Sequence, residues 1–354
     1  MLKVSHAIFV LSMTFAFNSP MAQTGSISVG GTTRTFIVYA PAGLPDKPAL
    51  VISMHGLGGS GSQQRSMSRF DQVADKGKFL VVYPDGNFKM GSSNGWDITT
   101  DADVEFISAL VDTMEGRYGI DRNKVYATGF SMGGMMSYKL ACAVPELVAA
   151  IGPASGYPLF GNNDCSPDIP VPVCHTHGST DDVVDYNGVE NWIEKFVSAN
   201  GCPATAVNTN ISTKIRREYW GPCEEGSEVI LYHFEGMYHA YPTSSSQGFS
   251  ASDTFWTFFE KHPRGAVGTA VSPSGSVIRK NSTVAFTAGV LNVYGDNLKG
   301  IRLTDMQGRS IAACKPEGIS KTGMVLPVGR LPAGVYIVTV RGLSGVDTRT
   351  FMIP

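Results

Sequence analysis

The chain has 354 residues, 43 % of them hydrophobic and 16 % charged, and a formal net charge of −2. That apolar share supplies a core without further membrane spans, and a near-neutral chain with no basic block excludes a nucleic-acid partner. At the N-terminus, Lys3 precedes an apolar run from Ala7 to Phe17, which breaks at Asn18-Ser19-Pro20 before Met21-Ala22. A charged head, a short apolar core and a small-residue exit predict a secretory signal over residues 1–22. The run is shorter than the roughly twenty apolar residues a bilayer span requires. No cysteine follows it, which argues against a lipid anchor.

From about residue 34 to 262, short β-rich runs alternate with helix-length segments, which predicts an α/β doubly wound sheet. Strands are expected at Thr35–Tyr39, Ala49–Met54, Phe79–Tyr83, Val125–Thr128, Ala149–Ala154, Val171–Thr176 and Val229–Phe234. Several are apolar throughout, as strands covered by helices on both faces are. Val104, Ile107, Val111, Met114 and Tyr118 repeat at helical spacing, with Asp103 placed as the cap. Further helices are expected at Asn191–Ala199 and Ser252–Lys261.

After His262 the composition shifts to Pro, Gly and Ser, a linker over 263–280. The tail, 281–354, offers only short strand-like runs: Gly289–Tyr294, Gly300–Thr304, Gly323–Pro327, Gly334–Arg341 and Thr348–Met352. These predict a small C-terminal β-sandwich separate from the α/β domain at 23–262.

Six cysteines in an exported chain are expected to be mostly paired. Cys202 and Cys223 flank a polar loop and are expected to join. Cys142, Cys165 and Cys174 compete for a second bridge, with Cys142–Cys165 preferred, and Cys314 is expected to be free. No pair has metal-ligand spacing.

With 40 glycines in the chain, the pattern Gly129-Phe130-Ser131-Met132-Gly133 means little alone. Its setting gives it weight. Ser131 follows the strand 124–128 and precedes a helix from Met132 to about Ala143, the strand–turn–helix bend that lifts a serine hydroxyl above a sheet. A serine needs a base, and the base an orienting carboxylate, in the order Ser, acid, His. Asp181 lies beyond the end of strand 171–176, and His239 follows strand 229–234. Asp182 and Asp185 are alternative acids. Among the other histidines, His233 reads as a packed strand residue, and His175 and His177 read as strand alternation rather than a metal pair.

The loop 54-MHGLGGSG-61 follows the strand 49–54, where such enzymes supply an oxyanion donor. Leu57 N–H is the first candidate and Gly58 the second, with Met132 N–H as the other donor; His55 is expected to brace the loop. A phosphate loop is excluded, because the Lys-Ser/Thr ending is absent. Trp96, Tyr157, Tyr238 and Tyr241 are candidates to line a cleft, with Trp96 and Tyr241 favoured as substrate contacts.

The ordered set HGLGGS, VVYPDG, NGWD, GFSMGGMMSYKLAC, HGSTDDVVDY and GMYHAYP resembles the secreted feruloyl esterase, acetylxylan esterase and polyhydroxybutyrate depolymerase group of α/β-hydrolases, most closely carbohydrate esterase family 1. The resemblance covers about residues 25–262. It implies Ser131, Asp181 and His239 as a triad, Leu57 and Met132 as oxyanion donors, an esterified plant polysaccharide as substrate, and no cofactor. Met132 stands where polymer depolymerases of the group often carry alanine, which favours plant polysaccharide esters. GMYH stands where GGGH is common, which leaves the acyl pocket's shape open. The tail, with its D-x-x-G turn at 305–308 and 331-LPAGVY-336, is similar to C-terminal sorting domains of type IX secretion cargo. A carbohydrate-binding module is its rival, but Tyr294 and Tyr336 are few aromatics for a sugar platform. A polyester depolymerase, a peptidase and a non-catalytic binding protein are the rival readings of the whole.

Overall fold

The computed structural model describes residues 19–160, 165, 167, 169–264 and, beyond them, seven strands between 283 and 353. The expected signal up to residue 18 and the linker from residue 265 to 280 lie outside the described residues, as do residues 281 and 282. In chain order the α/β part comprises β1 (Met21–Val29), β2 (Thr32–Ala40), β3 (Leu50–Met54), α1 (Gly61–Ser68), α2 (Phe70–Gly77), β4 (Leu80–Pro84), β5 (Phe88–Met90) and β6 (Ser93–Gly95). It continues through α3 (Ala102–Tyr118), β7 (Val125–Phe130), α4 (Met132–Ala143), β8 (Ala150–Ala154), β9 (Val173–Gly178) and α5 (Val189–Ala199). It ends with β10 (Val207–Ser212), β11 (Ile215–Trp220), β12 (Val229–Phe234), α6 (Ser244–Gln247) and α7 (Ala251–Phe259).

Ten strands form one sheet in the order β1-β2-β4-β3-β7-β8-β9-β12-β11-β10. The six from β4 to β12 run parallel, and antiparallel strands flank them at both edges. Within the parallel set β3, β4, β8 and β9 have every residue buried; β9 buries His175, Thr176 and His177, whereas β3, β4 and β8 are almost wholly apolar. Their side chains alternate between two cores. Leu50, Ile52 and Met54 of β3 pack with α3, α4 and α5, whereas Val51 packs with α2 and α7. At about 1.5–3 kcal/mol for each fully buried large apolar side chain, this double burial ties the central strands to the helices on both faces.

Several expectations change here. Asp103 does not cap α3: the cap position is Asp101, and the Asp103 carboxylate turns inward to pair with Arg34 at 2.7 Å and to accept the Asp97 N–H at 2.6 Å. Both members of that pair are buried, so the charge on Arg34 holds Asp103 in place of a helix amide. The supposed polar loop between Cys202 and Cys223 is the β10–β11 hairpin. Its strands are polar because they lie at and beside the sheet edge, where alternation loses its meaning. Met21 and Ala22 of β1 pair with Ala40 and Tyr39 of β2. Arg264, placed in the linker, is held to the domain by hydrogen bonds from its guanidinium to the carbonyls of Pro145 and Val148.

Cys142–Cys165 and Cys202–Cys223 are disulfides, and Cys174 is a buried thiol. The side chain of Cys314 lies outside the described residues. Beyond the linker, β13 (Thr283–Thr287), β14 (Val290–Tyr294) and β17 (Met324–Pro327) form a three-stranded antiparallel sheet. A four-stranded antiparallel sheet comprises β15 (Leu298–Asp305), β16 (Ser310–Cys314), β18 (Gly334–Gly342) and β19 (Gly345–Ile353).

Candidate active site

The bend between β7 and α4 sets the geometry. Ser131 caps α4 at φ 54° and ψ −117°, a sparsely populated conformation that costs a non-glycine residue about 1–3 kcal/mol. Close backbone packing enforces it. A Cβ on Gly133 would lie 2.1 Å from Met54 O, and one on Gly156 would lie 1.9 Å from Ser131 O. The Ser131 N–H is spent on Ala154 O at 2.9 Å, which fixes the bend to the end of β8.

Because β7, β9 and β12 run parallel, the loops after them leave one edge of the sheet. Asp181 and His239 ride on two such loops, tied together by Ser179 N–H to Phe234 O at 2.9 Å and Gly236 N–H to Ser179 Oγ at 2.9 Å. The three side chains meet. His239 Nε2 is 2.9 Å from Ser131 Oγ, and Nδ1 is 2.8 and 3.0 Å from the two Asp181 oxygens. A carboxylate only accepts, so Nδ1 carries the hydrogen and Nε2 is left to take the serine proton. Burial alone would raise the Asp181 carboxyl. Hydrogen bonds from His177, His239 and the amides of Val184 and Val183 outweigh it and hold the group well below the usual carboxylate range. Asp182 is exposed, and Asp185 accepts the Asn187 N–H at 3.0 Å to cap a turn. Neither alternative acid faces His239.

The His55–Gly59 loop lies against the serine: a Cβ on Gly56 would come 3.2 Å from Ser131 Cβ. Gly58 N–H donates to Asn94 O at 2.7 Å and Gly59 N–H to Gly56 O at 3.0 Å, so Gly58 is committed and Leu57 is left as the loop's donor candidate. Met132 N–H opens α4, where first-turn amides have no helical partner. His55 is buried, and its Nδ1–H donates to Gly56 O at 2.7 Å while Nε2 accepts the Gly86 N–H at 2.9 Å. Burial pushes its pKa down, which suits a ring that must be neutral to accept. The bracing role expected of His55 is the one it has.

Trp96 and Tyr241 do not have the positions expected of substrate contacts. Trp96 is 0 % exposed, and its indole N–H donates to His55 O at 2.8 Å, so it supports the loop from beneath. Tyr241 is 5 % exposed and shares a 2.8 Å hydrogen bond with Ser252 Oγ inside the α7 core. Tyr157 is also buried, with its hydroxyl donating to Asp185 O at 2.6 Å. Tyr238, next to His239, is 67 % exposed. Gly95 escaped notice in the sequence although NGWD contains it. A Cβ there would meet Met132 Sδ at 2.6 Å and Leu57 Cδ1 at 3.1 Å, so this glycine makes room where the two donor residues converge.

Residues 38–210 match the phospholipase/carboxylesterase family. The chain is 30 % identical over 254 residues to feruloyl esterase C of Emericella nidulans, which aligns with 68 % of this chain and over 88 % of its own length. The chain belongs to this carboxylesterase family. It is also 33 % identical over 232 residues to a bifunctional acetylxylan esterase/xylanase of Neocallimastix patriciarum, covering 64 % of this chain and 34 % of that one. The carboxylesterase thus spans about a third of that relative's length. Acetyl xylan esterase from Aspergillus awamori shares the fold, with a TM-score of 0.54 at 20 % identity over 68 % of this chain and 99 % of that one. The carboxylesterase is a serine carboxylic ester hydrolase of the α/β-hydrolase fold. The family match contains Ser131 and Asp181 and stops short of His239 and of the tail strands.

Proposed function

We propose that this carboxylesterase removes feruloyl groups, and next to them acetyl groups, from plant cell-wall xylan through an acyl-serine intermediate. The observation that carries the reading is the continuous hydrogen-bonded set Ser131 Oγ, His239 and Asp181 at 2.9 and 2.8 Å. As Ser131 Oγ attacks the ester carbonyl, its proton passes to His239 Nε2, and Asp181 stabilises the imidazolium that forms. The carbonyl oxygen gathers charge beside the N–H groups of Leu57 and Met132. His239 then protonates the departing sugar alcohol. In the second half it draws a proton from water, which attacks the acyl carbonyl, and returns that proton to Ser131 Oγ as the acyl–oxygen bond breaks.

An aromatic acyl group is favoured by what surrounds these atoms. Leu57, Val183 and Tyr238 are 45 %, 61 % and 67 % exposed; Leu57 is the loop's oxyanion-donor residue, and Val183 and Tyr238 lie close in the chain to Asp181 and His239. Large apolar side chains left in solvent around a polar site suit a planar, apolar acyl group. Export fits the two disulfides, which form and persist in oxidising compartments. In this reading the tail is a sorting-type domain that engages secretion machinery. The test is a panel of methyl ferulate, acetylated xylan and polyhydroxybutyrate on one preparation. Methyl ferulate should give the highest kcat/KM; a preference for acetylated xylan would select the acetyl reading, and one for polyhydroxybutyrate would sink both.

A further inference from the structure

Strand β9 carries two buried histidines that the reaction scheme does not use. His175 and His177 have no exposed surface and lie two apart on one face of the strand, rings 5.2 Å apart and within 14° of parallel. His175 Nδ1 is 2.9 Å from the Tyr138 hydroxyl of α4, and His175 Nε2 is 3.0 Å from His177 Nδ1. His177 Nε2 is 2.8 Å from Val184 O and 3.3 Å from Asp181 Oδ2.

The hydrogens on this chain can be placed by elimination. His177 Nε2 faces a carbonyl and a carboxylate, both of which only accept, so it carries a hydrogen. In the neutral ring Nδ1 then accepts, and the donor to it is His175 Nε2–H. That leaves His175 Nδ1 to accept from the Tyr138 hydroxyl. Burial pushes the Tyr138 pKa far up, and burial together with neighbouring His177 pushes that of His175 well down, so both are neutral as the placement requires. Tyr157 and Tyr186 also pack their rings on His177, at 6.0 and 5.9 Å. All donors therefore point one way, from Tyr138 through His175 and His177 to the loop that holds Asp181.

That loop is gripped at two places. Val184 receives His177 at its carbonyl and gives its own N–H to Asp181 Oδ1 at 2.8 Å. Asp181 Oδ2 is shared between His239 Nδ1–H and the approach of His177. We propose that His177 is a positioning residue for Asp181, fixing the plane of the carboxylate that receives His239 through a hydrogen-bond chain anchored at Tyr138. The proposal rests on the triad reading above, since a carboxylate with no catalytic task would need no such orientation.

The test compares two amides of different reach in the full chain. A Gln at 177 can place an N–H near the position of Nε2, whereas an Asn occupies the Nδ1 side and falls short of Val184 and Asp181. Methyl ferulate hydrolysis by His177→Asn should show kcat lower by about 10- to 100-fold, the scale on which orienting partners act behind a metal-bound ligand, with KM within about twofold. His177→Gln should recover most of kcat. Tyr138→Phe, which removes the far anchor and keeps the ring, should lower kcat less than His177→Asn at unchanged KM. Equal kcat in the Asn and Gln variants, high or low, with unfolding temperatures like the parent's, would overturn the proposal. Ser131→Ala run alongside separates the two ideas, because full activity there would remove the triad reading itself.

Discussion

Ser131 is a strained residue in a place that sequence could name but not measure. The pattern with glycines at 129 and 133 marked the bend, while Gly156, which comes just as close to the serine backbone, sits 25 positions later with no motif around it. The strain has a use: it presents Oγ to His239 and leaves Met132 N–H at the helix start. Ser131→Ala or His239→Ala should therefore lower kcat about a thousandfold or more without unfolding the chain. Asp181→Asn should fall in the same range, since an amide cannot hold the imidazole in the tautomer it needs, while Asp185→Asn should leave kcat near the parent's. Full activity in Asp181→Asn would show that the acid lies elsewhere. The buried histidines make a separate prediction about acid. Burial depresses the folded pKa of His55, His175 and His262. The unfolded chain then binds more protons than the native one at these sites once pH drops to about 6.5, the ordinary histidine value. Their contribution to stability is complete above that pH and is lost as pH falls toward the folded values. Unfolding temperature should drop between pH 7 and pH 5, and His55→Gln should flatten that slope; an unchanged slope would mean that His55 takes up its proton as readily in the native chain as in the unfolded one.

At the scale of elements, legibility followed burial on two faces. The inner strands were readable because β3, β4 and β8 carry apolar side chains to both faces, which leaves a continuous run in the sequence, while β9 keeps only Val173 and Cys174 in the two cores. The elements missed are those without such a run. α1, Gly61–Ser68, is polar and is held by Ser60, whose side chain accepts the Gln63 N–H; α2 offers only Phe70, Val73 and Ala74 to the core. β10 is exposed along its length. The placement of Asp103 failed for a different reason, because its partner Arg34 is distant in sequence. That ion pair links elements that matter for the site. Arg34 stacks on Phe106 at 3.8 Å and donates to Asp85 O at 3.2 Å, and Asp85 accepts Gly61 N–H at 2.7 Å; Asp103 holds Asp97, next to Trp96. Arg34→Met would leave Asp103 buried without its counter-charge, a loss of about 3–5 kcal/mol. Pairing it with Asp103→Leu should recover a good part of this in denaturant titrations. If the single and double variants are equally destabilised, the pair is not what holds this corner.

Across the whole molecule the two edges of the parallel sheet have different work. Ser131, Asp181 and His239 gather at the carboxyl ends of the strands, while the turn between α4 and β8 lies at the opposite edge. Two described residues beyond α7 reach that turn: Arg264 donates to the carbonyls of Pro145 and Val148, and Arg302 of β15 pairs with Glu146. The tail strands were readable where turns punctuate them, as at β15 and β18. The described contact between them and the α/β part was not, since it joins Arg302 and Glu146, single charges far apart in sequence. This arrangement predicts that the tail is dispensable for chemistry. A chain ending after Arg264, which keeps the guanidinium contacts at the base of the sheet, should fold and hydrolyse methyl ferulate with kcat/KM within about threefold of the full chain, a difference of less than 1 kcal/mol in transition-state stabilisation. A chain ending at Lys261 should unfold at a lower temperature, because those contacts and the packing of His262 against Phe258 go with the deleted residues. The same Arg264 truncation in the native host should leave the enzyme within the cell envelope if the tail is a sorting domain. Normal export with weaker retention on insoluble xylan would instead make it a carbohydrate-binding module, and loss of methyl ferulate hydrolysis in the purified truncated chain would place part of the tail at the catalytic edge, against the contacts seen here.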